Sequence, residues 1–156
     1  MHLKTLGIAG AVLALTLTAT ASAFARAGDR TFADTYPVAS TLCVKAHAGT
    51  LGPKLQPQAA AVVTACDTLQ NAFGPLVSTV DAAEGTYLTV VSTQKGLVTA
   101  ACPKPVTNHA ACATARGTAK STIAAAKTTE QTAVTAYKTA IEANRVTFWS
   151  TISALR

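Results

Sequence analysis

Between Pro57 and Cys102, residues return at strictly alternating intervals of four and three: Val62, Cys66, Leu69, Phe73, Leu76, Val80, Ala83, Tyr87, Val90, Gln94, Leu97 and Ala101. Only Gln94 breaks the apolar character of the series. With about 3.6 residues per turn, such a series lies in one stripe along a single long helix, and that stripe needs a partner to leave water. A second pattern runs from His109 to about Leu155, with Val134, Ile141, Phe148 and Leu155 every seven residues and Tyr137 and Ile152 beside them. At about 1.5 Å per residue it extends roughly 70 Å, close to the length of the first, so the two are expected to form a long antiparallel hairpin.

The connections carry the expected stop and start signals. Cys102-Pro103-Lys104-Pro105 ends the first long helix, and Asn108 is a suitable cap for the next. Upstream, Asp29 is a plausible cap for a shorter helix ending at Gly49, which suits a left-handed position after a helix. Phe32, Tyr36, Ala39 and Cys43 form the stripe of that helix, and Pro37 either kinks it or starts it afresh. Thr50 to Gln56 reads as a loop, with Pro57 in the first turn of the second helix. Gly74-Pro75 either breaks that helix or kinks it, and the unchanged stripe phase through the site favours a kinked, continuous helix.

Four cysteines, Cys43, Cys66, Cys102 and Cys112, allow three pairings. The midpoint of Cys43 and Cys66 falls at Lys54 and Leu55, and that of Cys102 and Cys112 at Thr107, both inside the proposed loops. Antiparallel helices would bring each of these pairs level, so the expected bridges are Cys43 to Cys66 and Cys102 to Cys112. The fold class is therefore all-α: an elongated antiparallel bundle of three long helices, or four if the second breaks at Gly74-Pro75, stapled by two disulfides.

Residues 1–23 read as a signal peptide: a positive start to Lys4, an apolar run from Leu6 to Leu17 and the small-residue site Ala21-Ser22-Ala23. Ala23-Phe24-Ala25 offers a second cleavage site. The apolar run is short for a span that needs about 20 residues, so cleavage is favoured over an uncleaved anchor. Residues 24–156 then form one helical-bundle domain, secreted or extracytoplasmic, with no membrane span after cleavage. Loss of Lys4 lowers the net charge from +6 to about +5. The twelve remaining cations are spread singly, which gives no dense patch for nucleic acid and reads as general solubility.

No constellation names a reaction. Cys43-x3-His47 and His109-x2-Cys112 have helical spacings for paired metal ligands, but the hairpin sets them at opposite ends and export favours disulfides. His47 and His109 have no nucleophile beside them in any recognisable motif. Asp81, Glu84 and Glu130 fall near one another across the hairpin, with Lys127 one turn from Glu130, which reads as a solvated ion-pair surface. No catalytic residue, metal site or cofactor is expected. Phe32, Tyr36, Phe73, Phe148 and Trp149 are expected to gather where three helices overlap. The cluster Phe73, Tyr137, Phe148 and Trp149 is the candidate core or small apolar ligand site.

Beyond that overlap, a two-helix arm with small seam residues such as Ala83, Ala119 and Ala126 would bury little area and is expected to dock on a second copy or on another exported protein. Thr107, Thr118, Thr129 and Thr151 lie at intervals of eleven, with Ala140 filling the gap. This pattern in the last helix resembles the Ala/Thr-rich helical ice-binding proteins, and the resemblance implies an ice-facing threonine row. The leading expectation is a non-enzymatic exported bundle acting as a structural or protein-interaction module.

Overall fold

A computed structural model describes residues 30–156. The proposed signal peptide and the proposed cap Asp29 lie outside the described residues. Among those described the chain is helical with no strand. Helix α1 spans Phe32–Thr35, α2 Pro37–His47, α3 Ala59–Ala101 and α4 His109–Ala154, and a single 3-10 turn at Gln56–Gln58 precedes α3. Four helices arise because the first one divides at Tyr36, not because α3 breaks at Gly74-Pro75.

Local chemistry accounts for each boundary. Thr31 caps α1, its hydroxyl accepting from the Asp34 amide at 3.1 Å. Pro37 then starts α2 afresh, where its missing amide hydrogen removes no helical bond. At the end of α2, Gly49 takes φ +68°, its amide donates to the Ala46 carbonyl, and the Thr50 amide reaches back to Lys45 at 2.9 Å. This paired closure needs a left-handed residue, which glycine adopts without a Cβ clash. Pro57 sits in the 3-10 turn, and α3 begins two residues later than the proline alone suggests. Asn108 caps α4 by accepting from the Ala111 amide at 2.9 Å.

Helices α3 and α4 pack along their length as an antiparallel hairpin, and α2 lies against α3. Both disulfides form as the loop midpoints predict. Cys43–Cys66 has Cα atoms 5.5 Å apart, and Cys102–Cys112 has them 4.9 Å apart. The core sits at the three-helix end, where Tyr36, Ala39 and Cys43 meet Val62, Cys66, Leu69 and Phe73 of α3 and Phe148 and Ile152 of α4. Leu51 and Leu55 close it from the loop.

The stripe on α3 holds at first and then drifts. Its last fully buried member is Val80, and Leu97 is 56% exposed while Val98 takes the half-buried place beside it. Val62 and Leu97 are five heptads apart, and a straight helix departs from a heptad repeat by about 20° per heptad, or about 100° over this span. A drift of that size is enough to carry Leu97 out of the seam. On α4 the arm fully buries only Cys112 and Ala119.

Candidate functional site

Two features merit a site: a buried-edge ion cluster, and one long uncharged flank of the hairpin. The cluster centres on Arg30, whose guanidinium donates to both Asp81 and Glu84 and lies 5.8 Å from the centre of the Tyr137 ring. Asp81 and Glu84 are three apart on α3, so they share a face and present two carboxylates to one planar fork. Hydrogen bonding to Glu84 raises the Arg30 pKa above its ordinary value, so the group stays cationic. The sequence pattern points to these carboxylates but pairs them with Glu130 and Lys127. Their cation comes from 51 and 54 residues upstream, a separation with no local pattern. The arrangement ties the chain ahead of α1 to the hairpin, since both carboxylates accept from the same fork.

The candidate aromatic residues divide between two settings. Phe73 packs edge-on to Phe32 and Tyr36, at centroid distances of 5.8 and 6.0 Å. Phe148 meets Trp149 at 5.0 Å in the same core. Tyr137 lies under Arg30, outside that cluster. Phe73 and Phe148 are 8% and 3% exposed, so both rings belong mainly to the interior. The Tyr36 hydroxyl donates to the Ile141 carbonyl at 3.3 Å, and burial pushes its pKa up.

His47 stands 3.2 Å from Asp67, both about half exposed. All four cysteines are bridged, so no thiolate is free to ligate metal. Among the described residues no group of three histidine, cysteine or carboxylate side chains converges.

The flank emerges when α3 and α4 are each projected at about 100° per residue. On α3, Asp67, Asp81, Glu84 and Lys95 all fall on the side facing α1 and α2. On α4, Arg116, Lys120, Lys127, Lys138, Glu142 and Arg145 fall on the matching side, and Glu130 lies in the seam. The opposite side of the hairpin carries Thr64, Thr68, Thr79, Thr86 and Thr93 from α3. From α4 it carries Thr118, Thr129, Thr147 and Thr151, with alanines between them. All nine of these threonines are exposed, and no charged residue of α3 or α4 stands among them.

Most of their hydroxyl protons are occupied internally. Thr64, Thr68, Thr79 and Thr86 donate to the carbonyl four residues back at 2.8 to 3.0 Å, and Thr129 and Thr151 do the same at 3.3 and 3.0 Å. Each of these six hydroxyl protons is thereby paired within its own helix.

Near the three-helix end this flank opens into a groove of about 470 Å³ between α3 and α4. Ala61, Ala65 and Thr68 line one wall, Thr147 and Thr151 the other, and Leu69 and Phe148 reach it from the core. Near the other end Leu97 projects from the same side of α3, on the same projected bearing as Ala61. Taken in chain order the cations look evenly scattered. Projection of the same residues on a helix reveals the segregation.

Fold and surface together define a disulfide-stapled helical hairpin bundle with one charged side and one Thr/Ala side. No known protein family, curated protein or solved structure matches this chain. No helix of the described residues is long and apolar enough to cross a membrane.

Proposed function

We propose that this protein is an exported, non-enzymatic helical bundle that works by presenting its uncharged Thr/Ala flank to another surface. The observation that carries the reading is the segregation of every charged residue on α3 and α4 away from that flank. A face meant only for solvent gains from scattered charge, whereas a face meant to be covered avoids the desolvation of ions. Two bridged cysteine pairs and the signal-like start support an oxidising destination. The test is hydroxyl-radical footprinting of two exposed leucines of α3, Leu97 on the uncharged side and Leu88 on the charged side. In the native exported mixture Leu97 is expected to be protected and Leu88 to stay reactive. Equal reactivity of both would sink the reading.

One observation favours a second reading, ice binding. Thr118, Thr129 and Thr151 of the eleven-residue series stand exposed on this same flank with Ala140 between them, while Thr107 lies in the turn before α4. Inhibition of ice recrystallisation by the purified protein, lost on Thr129→Lys, is the outcome that reading requires.

A further inference from the structure

Resting on the reading that the uncharged flank is a covered surface, we infer that what covers it is a second copy of this chain. The copies stack antiparallel, with Leu97 of each seated in the groove beside Ala61, Ala65 and Thr68 of the other. Two features of one face make it self-complementary. One is a leucine 56% exposed to water. The other is an open groove of about 470 Å³ walled by small side chains.

Their positions are reciprocal about the middle of α3. That helix runs from Ala59 to Ala101, so its midpoint is Val80. Leu97 lies seventeen residues to one side, about 25 Å along the axis, and the groove residues of α3 span Ala61 to Ala72 on the other side. A two-fold axis in the interface, passing over α3 at the level of Val80 and perpendicular to the helix, carries Leu97 of one copy to the level of Val63 in its partner. That level falls inside the groove. Such a contact is isologous: the same knob and hole are used twice and the assembly closes as a dimer.

The dimensions suffice. A face about 65 Å long and two helices, about 18 Å, wide offers about 1,100 Å² per copy. A stable interface needs about 800 Å² per partner. Charge is also accommodated, since both charged sides point outward and stand about 20 Å apart or more, beyond the Debye length of about 8 Å at physiological salt.

The test is light scattering coupled to size exclusion on the disulfide-bonded protein, from micromolar to millimolar. The expected result is a dimer. Leu97→Glu and Thr64→Lys should each weaken self-association about tenfold or more, because each buries a charge at the knob or the groove. Both sites are exposed in one copy, so the helix content by circular dichroism should not change. Leu88→Glu, on the charged side, should leave the dimer intact. Mixing Leu97→Glu with Thr64→Lys should restore a heterodimer. One of its two contacts then sets the introduced carboxylate against the introduced ammonium, and the other keeps its native partners. A dimer indifferent to Leu97→Glu would overturn the inference, and so would a parent protein monomeric throughout. A monomer whose Leu97 is protected only in the exported mixture would overturn the second copy and leave the covered flank standing, with a different partner. Leu97 reactive in both settings would remove the two together.

Discussion

Tyr36 does three things at once: it ends α1, starts α2 and passes its hydroxyl to the Ile141 carbonyl of α4. Tyr36→Phe keeps the ring packing and should cost about 1 kcal/mol at neutral pH, the usual worth of one such bond. Burial raises the Tyr36 pKa above the ordinary 10.0, so folded Tyr36 holds its proton where the unfolded chain has released it. Stability from this group is complete below that pH and is lost as pH rises through the folded value. Thermal unfolding followed across alkaline pH should therefore fall more steeply in the parent than in the Tyr36→Phe variant. Arg30 poses a geometric demand, since one fork serves Asp81, Glu84 and the Tyr137 ring. Arg30→Lys supplies a point charge in place of a fork, so it should lose most of the roughly 1 kcal/mol that a partly exposed network contributes. Chemical denaturation of the two proteins would show whether charge alone is enough.

At the scale of the elements, α3 is the helix with the most room for improvement. Pro75 stands inside it, exposed, and a helix-interior proline costs about 3 kcal/mol through its missing donor and ring clash. Pro75→Ala should stabilise the protein by up to about that amount. Gly74→Ala should add about 0.5 to 1 kcal/mol, since a Cβ there meets nothing within 4 Å. If either variant lowered the melting temperature, the site would need a bend the helix cannot make with alanine. The disulfides differ in the loops they close, 23 and 10 residues in separation. Chain entropy gives about 3.4 kcal/mol for Cys43–Cys66 and about 2.7 kcal/mol for Cys102–Cys112. The paired alanine replacements should rank in that order in urea melts. The first also removes Cys66, which is fully buried against the core, whereas Cys102 is only half buried.

At the scale of the molecule, stability is uneven. Val80 is the last fully buried residue of α3, and beyond it α4 fully buries only Cys112 and Ala119. Small seam residues bury little area each, at about 25 cal/mol per Å², so the arm gains little from packing. Amide exchange should find the stretch from about residue 88 to 126 opening well before the three-helix end at low protein concentration. Rising concentration should slow it if a second copy covers the flank, and an arm as protected as the core at every concentration would contradict the burial pattern.

How much of this was legible in the chain depends on the distance over which each cause acts. The helices, the caps at Asn108 and Gly49 and both disulfide pairings follow from periodicity, local hydrogen bonding and loop midpoints, which act within a few turns. The charge segregation was also present in the sequence, since it needs only the projection of residues such as Lys120, Lys127 and Lys138 onto one helix. The Arg30 fork was not, because its partners are separated by more than fifty residues and are brought together only by how α1 and α2 lie on the hairpin. Nor was the exposure of Leu97. It sits in the apolar series as regularly as Val62, and the packed pair shows that the series has left the seam by that point. Local chemistry determined the elements and their staples. Tertiary packing decided which side of the hairpin stayed bare, because a third helix can cover only one of its two flanks.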